Sequence, residues 1–306
     1  MSTKEWESAR LSERHRAFGA AMALTRPSAV LCGVTALSMY TAPLMTWPRE
    51  VHLRSRRTKD RGRRRTPYFP VQGLAPLKPA GMSRAEAQQG LESGELGIQA
   101  MKVNVPGVVF EDGSPVKVKV EPLPYVLVDT LPGLPRQEAI MVLDAVLAGR
   151  YGYGQSVQDT DLDAVEYVLK KQDAESWKRL RAFADPRSES PGESRCRVLI
   201  DDLGFAPPEL QKDLDLPRVG RVRVDFWWED VVCEFDGMVK YTRGFTTQAP
   251  EEVIQQEKLR EDALRLLDYR VVRLTWDDLN HPDELGRKLL LAGVPHRALQ
   301  QFRAAA

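Results

Sequence analysis

The clearest periodic signal lies in the last third of the chain. Arg221 to Trp228 alternates, with Val222, Val224, Phe226 and Trp228 on one side, the period of a half-buried strand. Glu229-Asp230 then supplies a tight turn, and Val231 to Phe235 is an apolar run with Glu234 embedded in it. Upstream, Glu193 to Leu203 reads as a helix ended by Gly204, and Glu209 to Leu214 as a strand. Downstream come a long helix over Glu251 to Leu267, a strand over Arg270 to Trp276 and a closing helix over Asp283 to Leu291. This α-β-β-β-α-β-α order predicts a small mixed sheet flanked by helices.

The first half is less regular. Ala17 to Leu24 is a short Ala-rich helix, Arg26-Pro27-Ser28 a break, and Ala29 to Tyr40 a second helix with Val30, Leu31, Val34 and Leu37 at helical spacing. Short strands at Val51 to Leu53 and Thr66 to Phe69 flank the turn Asp60-Arg61-Gly62, which suggests a basic β-hairpin following the helices. Residues 70–130 carry short Val-rich runs, among them Val116 to Val120 and Tyr125 to Val128, and predict small β-structure. Residues 131–184 turn helical at Arg136 to Leu147, Asp161 to Lys171 and Ala174 to Phe183. The polar stretch Ala184 to Gly192 marks a boundary. The expectation is an α+β protein in three regions: a winged-helix-like module over 1–72, a β-plus-helical middle over 73–184 and a C-terminal domain over 185–306.

Composition narrows the function classes. With 42% hydrophobic and 28% charged residues the chain has the make-up of a folded globular protein, not a disordered one. A net charge of +1 gives no global field, so any affinity for nucleic acid must be local. The densest cluster is the basic run of residues 49–65, in which Arg54, Arg56, Arg57, Arg61, Arg63, Arg64 and Arg65 are candidates for phosphate contact. The alternative is a solvated loop. The three cysteines, Cys32, Cys196 and Cys233, form no CxxC pair, which argues against a zinc site or disulfide framework and suits the cytoplasm. The charged N-terminus has no signal-peptide core, and the apolar stretch from Ala17 to Met45 is broken by Arg26-Pro27 and Pro43, so no membrane span is expected.

Acids within strands carry the candidate chemistry. Asp225 falls on the face opposite Val224 and Phe226, and Glu234 and Asp236 lie two apart on the next strand. Burying a carboxylate costs several kcal/mol unless it is compensated. Three carboxylates meeting across a hairpin repel, and a hard divalent cation such as Mg²⁺ or Mn²⁺ would relieve the repulsion. The competing reading leaves them solvated or paired with Arg221 and Arg223.

The string Arg223-Val-Asp225-Phe-Trp-Trp, a short turn, then Val-Val-Cys-Glu234-Phe-Asp236-Gly237 and Lys240-Tyr241 resembles the PD-(D/E)xK nuclease superfamily, closest to the branch similar to very-short-patch-repair endonucleases. The helix segment Lys258 to Asp262 and the strand Val271 to Trp276 look like the later elements of that branch, and Ser190 to Arg195 like its opening helix, which carries Glu193 toward the site. The resemblance covers about the last third of the chain. Two positions depart from the pattern: Val224 stands where proline is usual, and Asp236 where lysine is usual. Lys240 or Lys258 would then return the ammonium. The resemblance implies a restriction-endonuclease-like sheet that hydrolyses DNA phosphodiesters. Asp225, Glu234 and Asp236 would hold the metal, and Tyr241 and Arg243 would line a DNA groove. The order of elements in the N-terminal half is diffusely similar to AbiEi-type antitoxins, which implies DNA binding and a toxin or defence-system partner. A non-catalytic regulator or antitoxin that keeps a nuclease-like scaffold is the alternative function.

Overall fold

The computed structural model describes residues 3–26, 28–93, 98–150, 157–237 and 250–298. It divides into two compact units, Met1–Ala184 and Asp185–Ala306, and is of α+β class. Among the described residues no helix is long and apolar enough to cross a membrane.

The first unit is built on a six-stranded mixed sheet in the order β3-β4-β2-β1-β6-β5. Its strands are β1 (Ala29–Leu31), β2 (Val51–Ser55), β3 (Gly62–Arg64), β4 (Val71–Leu74), β5 (Met101–Val109) and β6 (Pro115–Val120). Its helices are α1 (Thr3–Ser8), α2 (Leu11–Thr25), α3 (Gly33–Met39), α4 (Arg84–Ser93), α5 (Leu123–Thr130), α6 (Arg136–Leu147), α7 (Asp159–Asp163) and α8 (Ala174–Phe183). Because β1 pairs with both β2 and β6, the stretches 1–72 and 73–184 share one sheet.

Several local expectations change here. Ala29 to Tyr40 is not one helix: Ala29–Leu31 is a central strand and the helix starts only at Gly33, whose φ of 57° breaks the path between them. Tyr125 to Val128 lies in α5, not in a strand. Pro122 and Pro124 open that helix, and Leu123, Val126 and Leu127 bury at helical spacing. Asp161 to Lys171 gives the short α7 and then 3-10 turns at Glu166–Val168 and Lys171–Asp173. The basic run is not a simple hairpin either. β2 lies parallel to β4, and the edge strand β3 pairs antiparallel with β4. Gly73 of β4 permits this, since a Cβ there would fall 1.9 Å from the Asp60 carbonyl oxygen.

The second unit has a four-stranded sheet, β10-β9-β8-β7, made of β7 (Glu209–Leu216), β8 (Gly220–Trp228), β9 (Val231–Asp236) and β10 (Arg270–Thr275). β7, β8 and β9 are antiparallel neighbours, and β10 joins β9 in parallel. The helices are α9 (Pro191–Asp202), α10 (Pro250–Leu266), α11 (Trp276–Asn280) and α12 (Pro282–Leu291). Cys196 and Leu199 of α9 share one core with Phe226, Trp228, Cys233 and Leu274. Ala263 and Leu264 of α10 share the other with Val224, Val232 and Leu216. The sheet is therefore sandwiched between α9 and α10.

This division overturns the uniform alternation expected of β8. Val222 and Val224 pack with α10, whereas Phe226 and Trp228 pack with α9. The change of side occurs at Asp225. Opposite it, between the pairs Leu210↔Phe226 and Lys212↔Val224, Gln211 takes a φ of 54°, a left-handed conformation that re-aims the side chains of β7.

Candidate functional site

The site begins where two strands part. β8 and β9 pair from Trp228↔Val231 to Phe226↔Cys233, after which β9 continues with β10 as far as Asp236↔Thr275. At this fork the Asp225 carboxylate takes over as acceptor: its Oδ2 receives the Phe235 N–H at 2.8 Å. Buried backbone donors need such a partner, so Asp225 has a structural task whatever else it does.

Glu193 arrives from the other side, on the first turn of α9. Ser190 caps that helix: its Oγ accepts from the Glu193 N–H at 3.2 Å and donates to Glu193 Oε1 at 2.7 Å, while Glu193 Oε2 accepts from the Glu189 N–H at 2.7 Å. The Gln211 side-chain amide then bridges the two acids, donating to Glu193 Oε2 at 2.9 Å and reaching Asp225 Oδ1 at 3.5 Å. Burial, and after it the neighbouring Asp225 charge, push the Glu193 carboxyl above the usual range. The Phe235 ring lies against the backbone of α9, where a Cβ on Gly192 would meet it at 1.9 Å, and its other side meets the Trp276 ring edge-on at 5.1 Å. These contacts fix the spacing between helix and fork.

Glu234 has a different environment. Arg260 of α10 holds its carboxylate through two guanidinium nitrogens, one at 3.2 Å and the other closer, and also donates to the Arg223 carbonyl at 3.0 Å. Glu234 thus engages the α10 side of the sheet, while Asp225 and Glu193 meet on the α9 side. Among the described residues no group of three His, Cys, Asp or Glu side chains is placed to hold a metal ion. The cage expected of Asp225, Glu234 and Asp236 is accordingly not assembled. The fork turns Asp225 away from Glu234, and Asp236 lies at the end of β9 beside Thr275.

Of the two lysines expected to supply the ammonium, the described residues include Lys258. Lys258 is exposed and sits two residues from Arg260, about 200° around the helix, so Arg260 is the α10 cation that reaches the strand acids. Lys240, Tyr241 and Arg243 lie outside the described residues. Arg221 pairs with Asp213 and Arg223 with Glu189. Gln211 and Arg260 are the site residues that sequence reasoning missed. The signal for Gln211 was a polar residue beside Leu210 in an amphipathic strand, and for Arg260 a cation inside the helix segment of the resemblance.

In the first unit the basic residues divide into two sets. Arg54 is buried: its guanidinium pairs with Glu121 at 2.5 Å and Asp129 at 2.7 Å and donates to the Ala75 carbonyl at 2.8 Å. It is therefore removed from the phosphate-contact candidates, because its buried guanidinium is already held by two carboxylates. Arg56, Arg57, Arg63 and Arg65 are exposed. Arg61 is half-buried and donates to the Ser55 and Arg56 carbonyls at 3.2 and 3.0 Å, and Arg64 is half-buried and donates to the Lys59 carbonyl.

The second unit is thus a four-stranded mixed sheet between helices, with Asp225 and Glu193 brought to one Gln211 amide at a strand fork. No family model matches the chain, and no solved structure matches it. Two curated proteins of Mycobacterium tuberculosis are similar to it: Uncharacterized protein MT2308 from strain CDC 1551 / Oshkosh and Uncharacterized protein Rv2248 from strain ATCC 25618 / H37Rv. Each is 28% identical over 159 residues, which is 51% of this chain and 55% of the relative. The chain spans about half the length of the curated relatives it matches.

Proposed function

We propose that the Asp185–Ala306 unit is a metal-dependent phosphodiesterase of PD-(D/E)xK type that cleaves DNA, with the basic edge of the first unit supplying phosphate contacts. One observation carries the reading: Asp225, at the strand fork, shares the Gln211 amide with Glu193, a carboxylate from a different element. Burial, and after it the charge of Asp225, raise the proton affinity of Glu193, the kind of perturbation that clusters at functional sites.

The donor set has the hard oxygens that Mg²⁺ or Mn²⁺ prefers. Asp225 and Glu193 are the residues that would hold the ion, and Glu234, bound by Arg260, is not counted among them. The bound ion would supply an acidified water and offset charge on the phosphate. The chain's own residues do the rest. Gln211 orients both carboxylates, Phe235 keeps Asp225 in place through its N–H, and Arg260 sets a permanent positive charge beside Glu234 where the resemblance expects lysine. A guanidinium stays protonated, so its part is electrostatic and not that of a base. Arg56, Arg57, Arg63 and Arg65 would add salt-dependent affinity without reading sequence.

A second reading, a non-catalytic DNA-binding regulator or antitoxin, is favoured by the missing three-acid group among the described residues and by the structural bond from Phe235 to Asp225. Incubation with supercoiled plasmid in Mg²⁺ or Mn²⁺ separates the two. Metal-dependent nicking that disappears in Asp225→Asn supports the phosphodiesterase. Salt-sensitive binding with intact plasmid supports the regulator.

A further inference from the structure

The first unit carries a half-open pocket of about 660 Å³, far from the residues of the strand fork in sequence. Its outer wall is the segment of residues 74–81, in which Pro76 and Pro79 stiffen the backbone. The arch is pinned at both feet: Arg54 donates to the Ala75 carbonyl at 2.8 Å, and the Ala80 N–H donates to the Tyr167 carbonyl at 2.6 Å. Between these tethers the segment lines one side of the pocket. Leu74, Leu77, Ala87, Val168 and Leu169 give the space an apolar lining.

A space within the range of about 300–1,000 Å³ typical of ligand pockets, apolar with a few placed polar groups, is the form a small-molecule site takes. The polar groups are mainly cationic: among the described residues Arg54, Arg61, Lys78, Lys170 and Lys171 line the pocket against one acid, Asp129. Both oxygens of Asp129 are already engaged, Oδ2 by Arg54 at 2.7 Å and Oδ1 by Lys170 at 3.0 Å. The exposed Lys78 and Lys171 therefore bias the opening toward an anion. A narrower space of about 100 Å³ shares Arg54, Pro76 and Leu77 with the first and ends on Glu121. Glu121 is 2% exposed, and its Oε2 is buried with no hydrogen-bond partner among the described residues. A hydroxyl or a water in that extension would satisfy it.

We propose that this cavity binds a small organic acid with an apolar body, its anionic group toward Lys78 and Lys171 and its hydrocarbon part under the 74–81 arch. The site is independent of the strand fork and of any nuclease activity. Such a ligand would fill the pocket and stabilise the first unit by mass action.

The test uses the full-length protein and two probes of one chain length, decanoate and decanol, titrated by calorimetry below their aggregation limits. Decanoate is expected to bind with saturation and the alcohol more weakly. Lys78→Glu/Lys171→Glu, both at exposed positions, should weaken decanoate about 3- to 10-fold and leave decanol unchanged. Ala87→Phe, which fills the lining, should weaken both, and circular dichroism of each variant establishes that it is folded. No saturable decanoate binding by the wild type would overturn the proposal. Binding that both folded variants leave unchanged would overturn it as well.

Discussion

Asp225 accepts the backbone N–H of Phe235 at 2.8 Å, at the point where β8 and β9 separate. One carboxylate thereby does the work of a missing strand and also stands next to Glu193. The two tasks respond differently to substitution. Asp225→Ala orphans the Phe235 donor and should cost about 1–3 kcal/mol. Asp225→Asn keeps an acceptor oxygen and should lose much less. Urea unfolding of both variants checks this, and equal losses would show that the hydrogen bond does not matter to the fold.

Arg260 and Glu234 form the second pairing of the site, with side-chain exposures of 23% and 16%. Removing Arg260 leaves Glu234 partly buried without its cation. A double-mutant cycle of Arg260→Ala and Glu234→Gln should give a coupling of about 1–2 kcal/mol. Additive effects would mean that the pair is screened by water.

The two sets of arginines in the first unit should separate in experiment. Arg54→Leu leaves Glu121 and Asp129 without their buried cation and should cost about 3–5 kcal/mol in thermal or urea unfolding. Arg63→Ala/Arg65→Ala, at exposed positions, should leave the unfolding midpoint in place and lower the salt slope of DNA binding by about one unit for each phosphate that is no longer neutralised. An unchanged slope would remove this edge from the DNA-binding surface.

Acid should loosen the first unit through a buried histidine. His15 accepts or donates with Thr35 Oγ1 at 3.1 Å, and burial, with the nearby charges of His52 and Arg16 behind it, holds its pKa down from 6.5 to about 4, against a raising backbone contact at Pro48. Between those two values the unfolded chain binds the proton and the folded chain does not. Stability contributed above pH 6.5 is therefore lost as the pH falls toward 4, by about 3 kcal/mol at the end of the window. His52 is shifted in the same direction. His15→Gln should flatten the decline between pH 6.5 and 4.5, and an identical decline would place the acid sensitivity elsewhere.

The strands β8, β9 and β10 were legible in the sequence because each carries its own alternating or apolar signature. The α+β class followed from their order. The fork was not legible, since it depends on one residue, Gln211, adopting φ of 54° and on two strands parting in space. Asp225 could be singled out as an acid in a strand, but alternation alone sent it toward Glu234 and not toward Glu193. Arg54 misled for a related reason. A run of arginines reads as one surface, whereas β2 is buried on both faces at Leu53, Arg54 and Ser55, and Arg54 meets Glu121 and Asp129 there. In α5, local proline placement outweighed a Val-rich composition that favours strands.

Glu193 and Asp225 are proposed to form a cation site. Titration of the full-length protein with Mn²⁺, followed by loss of the free-ion electron paramagnetic resonance signal, tests it most directly. One saturable site is expected, which Asp225→Asn abolishes, Glu193→Gln weakens and Glu234→Gln spares. An absence of saturable binding, or a site that Asp225→Asn leaves intact, would contradict it.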